Sequence, residues 1–324
     1  MIIVKTPLRI TLGGGGTDLP FFYKKKIGFC VTASIKNYTY IALTKTFHKN
    51  FIFKYSKIEK VKNIKDIDHK IFKATYKKFN VKNYIEATSL ADIPSGSGVG
   101  SSGSFSVGLC LALNEYLKKK KNFKELIEDA SQIEMTLNKF ASGKQDQYAV
   151  SYPGVNGFEF KRNEEVLRKS ILLDKKTKQN FEKRFILVYS NKTRRAKNIL
   201  TKQKNIFFKD KDLIKQYEKL KELGYESFQA LKKRDLDTVG YILSEQDKIK
   251  NIINQSAHNK NINEIKAYCL NNGAINGRIL GAGGGGFLLF YTKNRIDFLN
   301  ALKRKKLKFL DIKLDEKGPL ILKD

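Results

Sequence analysis

Residues 94–103 read Pro94-Ser95-Gly96-Ser97-Gly98-Val99-Gly100-Ser101-Ser102-Gly103. Before this stretch, Tyr84 to Ala91 reads as extended; after it, a helix is predicted from about Ser101 to Lys118. A glycine-rich turn from strand to helix lets backbone N–H groups close around an anion, and the helix start with its dipole favours a phosphate there. The Gly-Lys-Ser/Thr ending of a Walker loop is missing. Gly98, Gly100 and Gly103 satisfy G-x-G-x-x-G, so a dinucleotide fold fits the loop as well. The Ser101-Ser102 pair suits Mg²⁺ and phosphate better, because a serine hydroxyl can join a metal shell. Taken alone, the loop also reads as a flexible turn with an N-capping serine.

Two more glycine clusters, Gly13 to Gly16 and Gly281 to Gly286, are too dense for ordinary turns. Around them the chain alternates strands and helices. Leu8, Ile10 and Leu12, then Val31, Ala33 and Ile35, then Tyr38, Tyr40 and Ala42 predict three strands, and Phe51 to Phe53 a fourth. Ile67 to Phe79 has helical spacing, and a helix from Phe123 to about Phe140 is predicted to stop near Gly143. Turn residues at Tyr152-Pro153-Gly154 and Asn156-Gly157 place a domain boundary near 160, giving units 1–160 and 161–324. The second unit has a strand at Phe185 to Tyr189, a lysine-rich helical region from about 193 to 270, the third glycine loop, a strand at Phe287 to Tyr291, and a closing helix and strand. The pattern is α+β.

The 324 residues are 41% apolar with 22 Phe and 15 Tyr, enough to build a sizeable core. Cys30, Cys110 and Cys269 are far apart among apolar neighbours and read as reduced core residues. His48, His69 and His258 share no metal-ligand spacing. No apolar run approaches a membrane span, and the start Met1-Ile2-Ile3-Val4-Lys5 lacks a signal peptide's pattern, so a cytoplasmic protein without a membrane partner is expected. The net charge of +31 invites a nucleic-acid reading, but only ten of the 63 cations are Arg, and the lysines are dispersed. Arg is the residue favoured for base readout, so no specific nucleic-acid partner is expected. What remains is a positive field that attracts small anions.

Arg9 in Pro7-Leu8-Arg9-Ile10, the Gly13 to Gly16 run followed by Thr17-Asp18, the 94–103 loop and Gly281-Ala282-Gly283-Gly284-Gly285-Gly286 resemble, in order and spacing, the three motifs of the GHMP small-molecule kinases. The resemblance runs essentially end to end. The wording of the first motif is most similar to that of the D-glycero-D-manno-heptose 7-phosphate kinases, with fucokinase domains next. Galactokinases carry Glu-His where this chain has Gly15-Gly16, which argues against galactose. The resemblance implies a two-domain GHMP kinase fold, with a left-handed βαβ unit in the N-terminal nucleotide-binding domain and a ferredoxin-like C-terminal domain, and a site between them.

It also implies roles. Asp146 falls on the catalytic aspartate and Arg9 on the catalytic cation; Ser102 and Glu134 fall on the magnesium-binding serine and carboxylate. Pro94, Gly96, Ser97, Gly98, Val99, Gly100, Ser101, Ser102 and Gly103 would surround the phosphates of ATP. Gly15, Gly16, Thr17 and Asp18 would meet the sugar, with Gly283 and Gly284 supporting the phosphate and sugar end of the cleft. The implied partner is a small sugar phosphate, phosphorylated at its anomeric hydroxyl to the 1,7-bisphosphate for nucleotide-activated heptose synthesis; L-fucose or another hexose is the alternative. Candidates for holding a distal phosphate are Lys192, Arg194 and Arg195, which include the only Arg-Arg pair in the chain.

Each residue also has an ordinary reading when taken singly. Asp146 would be a helix N-cap, Glu134 an exposed helix residue, Arg9 a strand-surface ion pair, and Thr17-Asp18 a helix start. An NAD-linked dehydrogenase would explain Gly98-x-Gly100-x-x-Gly103 but leaves Gly281 to Gly286 without a purpose.

Overall fold

The structure, a computed structural model, describes residues 1–139, 141–192, 211–254, 257 and 259–323. The first sheet begins with β1 (Ile2–Gly13), followed by the short α1 (Pro20–Tyr23), β2 (Gly28–Lys45), β3 (Phe51–Lys54), β4 (Ile58–Val61), α2 (Lys70–Lys78) and β5 (Ile85–Ala91). Then come α3 (Ser101–Tyr116), α4 (Phe123–Leu137), α5 (Gln145–Ser151), β6 (Val155–Phe160) and β7 (Val166–Ile171). β2 pairs with β1, β5 and β6, and β3 runs parallel to β5 after the crossover through α2.

β2 is one strand where alternation predicts two. The reason is a register slip: Pro7 faces Tyr38 but Leu8 faces Ile35. Pro7 has no N–H to give the ladder, and here β1 advances by one residue while β2 advances by three, so the pairing is irregular and strict alternation is interrupted. Before it, Thr6 abuts Gly108 of α3; after it, Arg9, an odd number of residues on, meets Gly100 at the start of the same helix. The slip is what turns Arg9 toward the helices, while Leu8, Ile10 and Leu12 enter the core beneath.

The second half contains α6 (Lys175–Arg184), β8 (Phe185–Tyr189), α7 (Lys211–Lys232), α8 (Leu236–Ile253), α9 (Lys260–Asn271), β9 (Asn276–Ile279), β10 (Phe287–Tyr291), α10 (Arg295–Arg304), β11 (Phe309–Asp311) and β12 (Leu320–Lys323). Its sheet has the order β11-β8-β10-β9, antiparallel throughout, which with its connecting helices is the split βαβ arrangement expected of a ferredoxin-like unit. Alternation divides its residues cleanly. Phe185, Leu187, Leu289 and Tyr291 share a core with Leu8, Ile10, Val31 and Ala33 of the first sheet, while Ile186, Val188, Leu288 and Phe290 pack under α9 and α10.

The expected division at 160/161 falls inside the β6–β7 hairpin, and β12 returns to pair with β1, so the first sheet takes strands from both sides of that line. Asn156-Gly157 lies within β6 and not in a turn. Gly157 is small because a Cβ there would come 2.8 Å from the rings of Phe29 and Phe228. Cys30, Cys110 and Cys269 are buried thiols. His69 caps α2, its Nδ1 accepting from Phe72 N–H at 3.3 Å. Among the described residues, no helix is long and apolar enough to cross a membrane.

Candidate active site

The 94–103 loop winds through left-handed glycines at Gly96, Gly98 and Gly100, the last being the N-cap of α3. It interlocks with the third glycine loop: Phe287 N–H donates to Ser97 O at 2.9 Å, and a Cβ on Gly286 would stand 2.3 Å from that same oxygen. Arg9 threads between. Its Nε and Nη2 donate to one carboxylate oxygen of Asp146, Oδ1, at 3.0 and 2.7 Å, and Nη1 donates to Gly98 O at 2.7 Å. Arg9 is buried, whereas the Asp146 side chain stays 35% exposed toward the cleft.

Asp146 is not an N-cap. Lys144 takes that position in α5, and Asp146 lies in the first turn. The turn is pinned on three sides: Lys144 Nζ donates to Glu128 at 2.6 Å, Gln145 Nε2 to Thr11 Oγ1 at 2.7 Å, and Gln145 N–H to Asp18 Oδ2 at 3.0 Å. Gly103 allows the close approach of α3, since a Cβ there would lie 2.8 Å from the Asp146 Cβ. Gly143, predicted as a helix stop, has another purpose. The α4 helix ends earlier, at Leu137, and Gly143 rests against Asp18, where a Cβ would be 2.1 Å from Oδ2.

Glu134 is buried, not exposed, because three hydrogen-bond donors converge on it: Ser102 Oγ, Ser106 Oγ at 2.9 Å and Gln147 Nε2 at 2.7 Å. Burial pushes its carboxyl up, against these hydrogen bonds and with the added repulsion of Asp146. Asp18 is likewise pushed up to about 6 by burial, partly offset by the Gln145 N–H. Carboxylates, two guanidinium groups and the glycine backbone of the 94–103 loop thus line one cleft, of 1280 Å³ including its open mouth. Such a set can bind a polyanion and orient a hydroxyl beside it.

Gly15, Gly16, Asp18, Gly96, Gly98, Gly100, Ser101 and Ser102 line this cleft with Arg9, Glu134 and Asp146. The other sequence candidates stand elsewhere. Pro94 is exposed, Ser97 and Val99 are buried within the loop, and Gly103 lies behind Asp146. Thr17 is buried, with Oγ1 at 2.8 Å from both Gly14 O and Phe29 O. Gly283 packs on Ala257, and Gly284 N–H donates to Ala257 O at 2.7 Å, so this pair braces the third loop; Gly281, Ala282 and Gly285 meet the cleft instead. Arg194 and Arg195 lie outside the described residues. Lys192 is exposed, and its carbonyl accepts from Gly286 N–H at 2.7 Å.

Sequence reasoning missed Gln246 and Arg278, both buried in the cleft wall. Gln246 reaches from α8 to the first glycine run, accepting from Gly14 N–H and donating to Leu12 O, each at 3.0 Å. Nothing in its lysine-rich helix marks it out. Arg278 had one available signal, an arginine three residues before the third glycine loop in a chain that otherwise uses lysine.

Comparison with known proteins agrees with this architecture. Residues 65–154 match the GHMP kinases N terminal domain and residues 227–307 the GHMP kinases C terminal domain. The chain is 29% identical to the D-glycero-alpha-D-manno-heptose 7-phosphate kinase of Campylobacter jejuni subsp. jejuni serotype O:2, over 98% of this chain and 97% of that protein. It is 26% identical to the bifunctional fucokinase/GDP-fucose pyrophosphorylase of Arabidopsis thaliana, over 66% of this chain and 21% of that one. Among solved structures, a D-glycero-D-manno-heptose 1-phosphate kinase from Bacteriodes thetaiotaomicron shares the fold with a TM-score of 0.81 at 20% identity, covering 100% of this chain and 99% of that one. With both domain models matched in order over just over half its length, on a fold whose glycine loops meet around Arg9 and Asp146, the chain belongs to the GHMP kinases.

Proposed function

We propose that this kinase transfers the γ-phosphoryl group of ATP, with Mg²⁺, to the anomeric hydroxyl of D-glycero-D-manno-heptose 7-phosphate. The product would be the 1,7-bisphosphate, a precursor of nucleotide-activated heptose. The observation that carries the chemistry is the asymmetric use of the Asp146 carboxylate. Oδ1 takes both Arg9 contacts, and Oδ2 makes no hydrogen bond to the described residues. Oδ2 is therefore the atom that accepts from the sugar hydroxyl. As the new O–P bond forms and the bond to ADP breaks, the hydroxyl proton passes to Asp146 and later to solvent. Arg9 holds the carboxylate in place and offsets negative charge beside the transferring group. The choice of sugar is supported by the similarity to a heptose 7-phosphate kinase along nearly the whole chain, and by Gly15-Gly16, which leave the acceptor end without side chains.

Ser102 Oγ and Glu134 offer paired hard oxygens beside the phosphate loop, a donor set that fits Mg²⁺. No cluster of three or more His, Cys, Asp or Glu suited to a metal occurs among the described residues. Mg²⁺ usually takes one or two protein oxygens and completes its shell from nucleotide phosphates and water. When bound, the ion would neutralise charge on the departing ADP.

The test is ADP release across heptose 7-phosphate, L-fucose, mannose, galactose and mevalonate, with ³¹P NMR to locate the new phosphate. Heptose 7-phosphate should give the highest kcat/KM, and Asp146→Asn should lower kcat by about 10²-fold or more while the protein stays folded. A wild-type preference for fucose or mevalonate overturns the acceptor, and near-normal kcat in Asp146→Asn overturns the role of the carboxylate.

A further inference from the structure

Among the described residues two arginines are buried in the cleft wall, and only one is paired with an acid. Arg9 is paired with Asp146. Arg278, on β9, is 4% exposed, and among the described residues no carboxylate lies within ion-pair or hydrogen-bond distance of it. Its Nη1 donates to Gln246 Oε1 at 2.6 Å, and that amide oxygen is shared with Gly14 N–H. Nε is buried and has no hydrogen-bond partner among the described residues. Asp247, whose charge acts on Arg278, is engaged by Ile279 N–H at 3.1 Å and by Lys266. Burial lowers the Arg278 pKa only to about 10, so the guanidinium remains charged at neutral pH.

A buried cation without a counter-ion is costly, and such a charge is normally paired or serves a ligand. Nη2 also makes no hydrogen bond among the described residues and, unlike Nε, is not closed off, so it is the donor of Arg278 left to meet an anion in the cleft that this residue lines. Gly15 does not have a left-handed backbone, so its conformation does not demand glycine; a Cβ there would stand 3.7 Å from Arg278 Nη2, 3.5 Å from Gln145 Oε1 and 3.0 Å from Thr11 Cγ2. A side chain at residue 15 would crowd Nη2. On the far side, Gly16 faces Tyr217, at 3.5 Å from where its Cβ would be.

We propose that Nη2 of Arg278 receives the anionic group of the acceptor, a phosphate ester on the sugar, and thereby selects phosphorylated over unphosphorylated sugars. This rests on the sugar phosphate reading of the cleft. Gln246 is the positioning residue, since it holds Nη1 and leaves Nη2 for the ligand.

The experiment compares wild type, Arg278→Gln and Arg278→Lys by kcat/KM on heptose 7-phosphate and on the unphosphorylated heptose. Thermal unfolding and the KM for ATP are read in parallel. Arg278→Gln should lose about tenfold to hundredfold on the phosphorylated sugar, mainly through KM, and change the unphosphorylated sugar and ATP by less than about threefold. Arg278→Lys keeps the charge without the fork and should fall between. Equal losses on both sugars, or a loss confined to ATP, overturn the assignment. If wild type turns over neither sugar, the function reading has failed and the assignment is tested by binding. With a non-hydrolysable ATP analogue and Mg²⁺ bound, inorganic phosphate at constant ionic strength should raise the unfolding temperature of wild type but not of Arg278→Gln, and an equal rise in both overturns it.

Discussion

Gly100→Ala should cripple catalysis through Arg9, with Arg9 and Asp146 themselves left unsubstituted. Gly100 has φ +77, where an L residue loses roughly 1 to 2 kcal/mol. Its new Cβ would also stand 2.8 Å from Arg9 Cγ and 3.2 Å from Arg9 Nε. Carbon atoms settle at about 3.5 to 4.0 Å, so the stem of Arg9 must retreat by roughly 1 Å. The Nε to Asp146 Oδ1 hydrogen bond, now 3.0 Å, does not survive such a retreat. Losing one charge-assisted hydrogen bond costs about 1.5 to 3 kcal/mol, equivalent to about a tenfold to hundredfold fall in kcat if the bond persists in the transition state. Gly154→Ala supplies the control, because Gly154 has φ +73 with nothing within 4 Å of its Cβ position and so feels the backbone strain alone. ADP release at saturating ATP and acceptor, run beside thermal unfolding, separates the two effects. Should Gly100→Ala lose the same stability as Gly154→Ala yet keep kcat within about twofold, Arg9 is not held by this helix start and the reasoning fails.

Ser102→Ala and Glu134→Gln should each raise the Mg²⁺ concentration for half-maximal rate by about tenfold or more, read by titrating Mg²⁺ at fixed ATP; unchanged curves in both would dismiss the metal site. Asp18 carries a pH signature. Its folded pKa of about 6 lies above its ordinary 3.8, so the folded protein binds the proton more tightly; its favourable contribution is complete below about pH 4 and lost as pH rises through 6. Asp18→Asn should therefore be more stable than wild type above pH 6, by on the order of 3 kcal/mol, with the gap closing toward pH 4 and sugar binding weakened throughout. A stability gap that ignores pH would refute the buried-charge account.

The glycine loops and the strand-to-helix turn were legible because each depends on local chemistry, whereas Asp146 reads locally as an N-cap and was singled out only through the resemblance to the GHMP kinases. A left-handed backbone needs glycine, and Gly96, Gly98 and Gly100 announce it. The burial of Glu134 was not legible, since its donors Ser106 and Gln147 lie 28 residues before it and 13 after it and converge only on folding. Gly143 and Gly157 misled for a related reason. Their smallness serves contacts with Asp18, Phe29 and Phe228, all distant in sequence, and glycine reads as a turn when its neighbours in space are unknown. Arg9 shows the subtlest case. Alternation alone puts Thr6 and Arg9 on opposite faces, and only the slip at Pro7 brings both toward α3.

The return of β12 to β1 has a consequence for how this molecule is made. β1 leaves the ribosome before the other strands of its sheet, yet Ile2, Ile3, Val4 and Lys5 find their outer partners only at Lys323, Leu322, Ile321 and Leu320. Through synthesis of the whole second sheet, one side of β1 therefore offers a row of bare N–H and C=O groups, the kind of edge on which nascent chains stick to one another. The order of translation leaves this sheet begun before the four-stranded one and completed after it.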